Sequence, residues 1–296
     1  MNIRISLEAL SGKNETLLWS GALYGLKRLQ ELGHRLFFLI DDLSNKQKDL
    51  LENEKIKATA SIPEETDLQV IADNGKLEVI TREGKTIEEA SDWITISNRI
   101  CFPTRKATLS RQTAETDIHI KLNLDGTGKS AIDTGLPFFD HMLEQIAKHG
   151  LIDLELSCNG DLEVDEHHTI EDVAIALGET VTKALGNKVG ISRYSFVLPM
   201  DESQATIALD LSGRPYLKFE GSFDREKVGD FPTEMVEHFF YSLAMNLQAT
   251  LHISVVGDNA HHKIEGCFKG FARCLRASVS RSERNANILP STKDLL

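Results

Sequence analysis

Two histidine doublets carry the chemistry of this chain. His167-His168 is followed by Glu171, and His261-His262 by Glu265. At helical spacing each glutamate lies three and four residues from its doublet, so imidazole nitrogens and a carboxylate project from one stretch of helix surface. That donor mixture suits Mn2+, Fe2+, Zn2+ or Co2+, and the lack of nearby cysteine argues against a soft structural site. His141 precedes the first doublet by 26 residues and His238 precedes the second by 23. Six histidines and two glutamates then suffice for two ions with four protein ligands each. Neighbouring residues on a helix point about 100° apart, so one ion takes both members of a doublet only with distortion. Each doublet is expected to face two ions, with ligands from more than one helix pair or subunit and hence a symmetric oligomer.

The elements that must hold these residues repeat as well. DHML (140–143) corresponds to EHFF (237–240), and HHTIED (167–172) to HHKIEG (261–266). An internal duplication is the simplest reading, with half-domains of about 104–193 and 194–290. In the first half, alternation predicts a strand over 116–124, the turn DGTGK and a return strand from SAIDT, together a hairpin. A helix over 136–148 follows with Pro137 in its first turn, then strand 152–158 and helix 166–185. The second half reads as strands 194–199, 204–211 and 215–221, helix 232–247, strand 250–257 and helix 260–280.

Residues 1–103 are a different text. ALYGLKRLQELG (22–33) has helical apolar spacing and a glycine stop, RLFFLI (35–40) a buried-strand pattern, and 44–58 a charged helical character. KLEVITREGKTIEEA (76–90) reads as a strand, a glycine turn and the start of another helix, and Pro103 marks a boundary. The expected architecture is α+β: a small N-terminal α/β domain, then two duplicated half-domains, each a sheet with two helices on one face.

Composition narrows the function classes. Against 45 acidic residues stand 33 Lys and Arg, a net charge of −12, which disfavours a broad nucleic-acid footprint. The longest strongly apolar run, Leu36 to Ile40, is far below the ~20 residues of a membrane span, and no basic-then-apolar leader opens the chain. The four cysteines form no CxxC pair. A soluble protein of the reducing cytoplasm, without nucleic-acid or membrane partners, is expected.

RQTAETDIHI (111–120), LDGTGKS (124–130), GLPFFDHMLEQIAKHG (135–150), DEHHTIEDVAIALGE (165–179), LDLSGRPY (209–216), VEHFF (236–240) and HHKIEGCFKGFARCLR (261–276) resemble the imidazoleglycerol-phosphate dehydratase family, in order over 104–296. The resemblance implies a histidine-biosynthesis lyase that converts imidazole glycerol phosphate to imidazole acetol phosphate. It also implies two Mn2+ ions per active site, at inter-subunit sites of a 24-subunit assembly built from trimers. Carried onto this sequence, the ligands of one ion fall on His141, His168, His261 and Glu265, and those of the other on His167, Glu171, His238 and His262. Substrate contacts fall on Glu115, His149, Arg193, Arg214, Ser291 and Lys293. Arginine's fixed fork and lysine's mobile charge suit a phosphate.

The reaction expels hydroxyl from the carbon bearing the imidazole and removes a non-acidic proton from its neighbour. Two Mn2+ ions on the ring nitrogens would acidify the ring to an imidazolate that drives the hydroxyl out. A carboxylate takes the proton, the candidates being Glu171 and Glu115, with Asp140 orienting the site. A metal-storage assembly and a dinuclear metallohydrolase are the rival readings. Storage needs no convergent phosphate-binding groups, and a hydrolase site is usually built at loop ends with bridging aspartate.

Bifunctional relatives fuse this dehydratase to a haloacid-dehalogenase-like phosphatase, which residues 22–42 loosely resemble. That chemistry needs an Asp-x-Asp after the first strand. Residues 1–22 contain no aspartate, and Asp41-Asp42 reads as a loop or helix cap. A degenerate phosphatase-like or unrelated domain, without phosphatase activity, is expected.

Overall fold

The computed structural model describes residues 1–11, 17–57, 62–293 and 295–296, with the side chains of 196 and 197 excepted. Contacts divide the chain into two compact units, Met1–Pro103 and Thr104–Leu296.

In the first unit, β1 (Asn2–Ile5) lies between β2 (Arg35–Phe37) and β3 (Leu68–Asp73), parallel to both. The sheet continues antiparallel through β4 (Lys76–Thr81) to β5 (Thr86–Ala90). Its helices are α1 (Leu7–Ser11), α2 (Ala22–Glu31), α3 (Asn45–Asn53) and α4 (Trp93–Cys101). Ile3, Leu26, Leu29, Val70, Val79 and Trp93 are fully buried, and the Trp93 indole N–H donates to the Ala9 carbonyl at 2.7 Å. The segment TIEEA, expected to begin a helix, is the edge strand β5. Lys76 to Glu89 at 3.1 Å and Thr86 to Glu78 at 3.2 Å tie it to β4, so cross-strand pairing overrides the helix preference of glutamate. The charged helix expected over 44–58 is α3, with the Ser44–Gln47 capping box at its start; Ala58 lies outside the described residues. Asp41-Asp42 occupies an exposed turn.

The second unit has two halves whose four-stranded sheets share one topology. The first runs β6 (Lys106–Gln112), β7 (Thr116–Asn123), β8 (Ser130–Asp133), α5 (Pro137–Gly150), β9 (Asp153–Gly160) and α6 (His167–Leu185). The second runs β10 (Tyr194–Met200), β11 (Ser203–Asp210), β12 (Tyr216–Glu220), the short ribbon β13 (Lys227–Val228) and β14 (Phe231–Pro232), α7 (Met235–Asn246), β15 (Thr250–Val256) and α8 (Ala260–Val279). The sheets are ordered β6-β7-β9-β8 and β10-β11-β15-β12, and in each the last pair alone is parallel.

One expectation fails here. The return strand SAIDT does not fold back on β7 as a hairpin; it is β8, parallel to β9, with Ser130 opposite Leu154. The Asp153 carboxylate redirects the loop by accepting from the Thr127 N–H at 2.7 Å and the Lys129 N–H at 3.2 Å. Those bonds carry the chain across β9 instead of back along β7.

Helix α6 lies on β6, β7 and β9, and α8 on β10, β11 and β15. The helices then pair crosswise, α5 with α8 and α6 with α7, so each half's first helix packs on the other half's second. One continuous apolar core joins both halves through Phe139, Leu177, Phe239, Phe240, Phe268 and Phe271. Gly178 sets the α6–α7 approach: a Cβ there would stand 2.9 Å from both the Leu243 carbonyl oxygen and the Leu247 nitrogen, backbone that side-chain motion does not relieve. Gly178→Ala should therefore destabilise the unit, since overpacking costs ~1–3 kcal/mol against a helix-propensity gain of ~0.5–1 kcal/mol. Urea unfolding of the metal-free protein should show an earlier midpoint, and an unchanged or later one contradicts this packing.

Candidate metal centres

Crosswise helix pairing decides which donors meet. Two clusters form, His141 with His261 and Glu265, and His167 with Glu171 and His238; within each cluster one donor atom per residue lies within 4.8 Å of the others. The first joins α5 to α8 and the second α6 to α7, so each takes one histidine from one half and a histidine and glutamate from the other. The duplication exchanges them: His141 corresponds to His238, His167 to His261 and Glu171 to Glu265.

In the first cluster Glu265, 8% exposed, places Oε1 3.9 Å from His141 Nε2 and Oε2 3.8 Å from His261 Nε2. In the second, Glu171 places Oε2 3.5 Å from His167 Nε2 and Oε1 3.2 Å from His238 Nε2. These separations exceed hydrogen bonds or fall off their line, and they gather the donor atoms of each cluster around one centre. His238 Nε2 is buried without a hydrogen-bond partner. A buried orphan nitrogen costs about 1–3 kcal/mol, which a coordinated cation would offset. The donor set thus fits a divalent transition ion. His141, His167 and His261 side chains remain 42–45% exposed, so both clusters open on the surface of the chain.

The second member of each doublet points elsewhere. His168 Nδ1 lies 3.2 Å from both Asp161 carboxylate oxygens, and its Nε2 is 3.7 Å from Glu115 Oε1. His262 Nδ1 lies 2.9 Å from Glu202 Oε2. The Asp161 hydrogen bond raises the His168 pKa, and the Glu202 hydrogen bond raises that of His262. The same His262 contact, with further hydrogen bonds from backbone and Ser203, pulls the Glu202 carboxyl down to about 2. Neither Asp161 nor Glu202 was legible in the sequence, because each comes from a loop distant along the chain from its histidine or outside any helical spacing. Lys269 was also missed. Its ammonium lies 2.9 Å from Glu265 Oε1, one helical turn along α8, an i to i+4 spacing that could have flagged it.

The other expected site residues fall in separate places. Glu115, on the β6–β7 turn, is half-exposed beside His168. His149, at the end of α5, has its pKa lowered by burial and by the charges of Lys269 and Arg273 on α8. Arg193 is engaged within the chain, its guanidinium forking onto Asp210 and donating to the Pro290 carbonyl at 2.9 Å. That bond anchors the segment carrying Ser291 and Lys293, while the exposed Arg214 guanidinium donates to the Ser212 carbonyl at 3.4 Å and stands 3.8 Å from Asp210. Asp140 does not face the histidines through a hydrogen bond; it accepts from the Thr134 N–H and hydroxyl and fixes the entry to α5. Burial pushes the Cys158 and Cys267 thiols up to about 12, so neither supplies a thiolate.

Residues 134–275 match the sequence pattern of the family described as Imidazoleglycerol-phosphate dehydratase. A histidine biosynthesis bifunctional protein HisB from Spirosoma linguale is 52% identical over 208 residues, 70% of this chain and 54% of that protein. One from Legionella pneumophila is 54% identical over 210 residues, 71% of this chain and 59% of that protein. The chain thus covers little more than half the length of these relatives. Among solved structures, imidazoleglycerol-phosphate dehydratase from Staphylococcus aureus is 36% identical with a TM-score of 0.55, over 60% of this chain and 99% of that one. The Pyrococcus furiosus protein, in complex with (S)-C348, is 32% identical with a TM-score of 0.53, over 64% of this chain and 100% of that one.

Proposed function

This chain belongs to the imidazoleglycerol-phosphate dehydratase family, and we propose from that premise that it is a hydro-lyase of histidine biosynthesis, dehydrating imidazole glycerol phosphate to imidazole acetol phosphate. The observation that carries the reading is the pair of duplication-related His-His-Glu clusters in the region matched to that family. Their donors suit two Mn2+ ions, which when bound would supply Lewis-acid charge to the imidazole ring.

Within the reaction a C–O bond breaks at the carbon bearing the ring, a C–H bond breaks at its neighbour, water leaves and the resulting enol becomes the ketone. Glu115 is the proton-transferring group of this reading. Its carboxylate is half-exposed on a turn, with Oε1 3.7 Å from His168 Nε2. Glu171 lies between two imidazoles, which suits a ligand better than a base. Arg214, Ser291 and Lys293 are the phosphate-facing groups, with Arg193 holding their segment through Pro290.

Each cluster holds three of the four ligands that the resemblance assigns to it, and the fourth, His168 or His262, is turned away. That arrangement accords with centres completed by other copies of the chain, in an oligomer built from trimers, a 24-mer by resemblance. Cytoplasmic placement accords with the buried thiols of Cys158 and Cys267. Among the described residues no helix is long and apolar enough to cross a membrane. The reading gives residues 1–103 no phosphatase activity: Ser6 follows β1 where a nucleophilic aspartate would stand, and its hydroxyl accepts from the Ala9 N–H at 3.2 Å.

Purified protein, Mn2+ and imidazole glycerol phosphate should together release the ketone, and chelation should stop it. Absence of ketone from fully assembled, Mn2+-loaded protein would refute the assignment.

A further inference from the structure

The duplication makes Glu115 and Glu202 counterparts, because β7 begins at Thr116 and β11 at Ser203 and each glutamate immediately precedes its strand. Asp161 and Asp258 are counterparts by the same register, since Thr116 lies opposite Gly160 in the first sheet and Gln204 opposite Val256 in the second. The two halves use these equivalent carboxylates differently. In the first, Asp161 takes His168 Nδ1 and Glu115 does not. In the second, Glu202 takes His262 Nδ1, and Asp258 makes no hydrogen bond or ion pair with that histidine among the described residues. Glu202 is further occupied by the Asn259 N–H at 3.0 Å and the Ser203 hydroxyl at 3.1 Å.

We propose that Asp161 and Glu202 are positioning residues, each holding one imidazole by Nδ1 so that Nε2 becomes the coordinating nitrogen of His168 and His262. An imidazole whose Nδ1–H is donated to a carboxylate has one tautomer and one ring orientation, and its Nε2 lone pair is more basic toward a metal. The divergence has a chemical consequence. Asp161 relieves Glu115 of the orienting task and leaves its carboxylate available for proton transfer, whereas Glu202 is fully engaged and takes no part in it.

The inference rests on the metal-centre reading, and Mn2+ binding to the full-length, assembled protein separates the two. Equilibrium dialysis of the wild type should find two ions per chain. Glu202→Ala should weaken one of them 10–100-fold and leave the other unchanged, and Asp161→Ala should weaken the other. Glu202→Gln, which keeps an acceptor oxygen, should restore affinity to within several-fold of the wild type. In a His262→Ala background, Glu202→Ala should have no additional effect, which a merely structural Glu202 would not predict. Wild-type affinity in the alanine variants, or additive losses in the double variant, would overturn the positioning role alone. A wild type that binds no Mn2+ would overturn the centres and this inference together.

Discussion

Glu115→Gln should lower turnover of imidazole glycerol phosphate by about 10²–10⁴-fold, the usual contribution of one positioned acid or base, while KM changes little. Glu115 belongs to neither three-donor cluster, and its carboxylate is half-exposed on a turn, so the amide leaves the core and the six clustered donors untouched. Mn2+ content and oligomer mass should therefore match the wild type. That combination distinguishes Glu115 from Glu171, whose carboxylate lies within 3.5 Å of two imidazole nitrogens. Glu171→Gln should lose metal together with turnover. If Glu115→Gln turns over at near-normal speed, the proton passes through another group.

His238→Ala should reduce bound Mn2+ from two ions per chain to one, with a loss of turnover greater than the ~100-fold typical of a residue that only orients a ligand. The metal-free variant should keep its melting temperature or gain slightly, because the substitution removes a buried nitrogen that has no hydrogen-bond partner. The stabilisation that Mn2+ gives the wild type should be diminished in the variant, as expected when a ligand binds only the folded state. Metal analysis and calorimetry on the same samples check both statements. Unchanged metal stoichiometry would remove His238, and with it the α6–α7 centre, from the assignment.

Much of the second unit was legible because its signals are local. Alternation placed β7, β9, β10, β11 and β15 within a residue or two, and 3.6-residue periodicity with Pro137 placed α5. Reading failed where distant partners decide. TIEEA has the composition of a helix start, yet β4 lies alongside and turns it into a strand. SAIDT follows a turn suited to a hairpin, yet Asp153, more than twenty residues from the turn, carries it to the far side of β9. Strands β1 and β3 and helix α4 gave no strong local pattern and owe their form to strand pairing and to burial in one apolar cluster with Trp93.

Residue type and helical spacing already dictated the donor inventory, because His167 and Glu171, or His261 and Glu265, are neighbours on one helix in any fold that keeps the helix. The same periodicity required a doublet to diverge. Which histidine joins which glutamate was not written there, since His141 meets α8 and His238 meets α6 only through crosswise helix packing. Such packing depends on how two apolar faces from different halves interlock around Phe139, Phe239 and Phe268, a non-local property that no stretch of chain encodes alone.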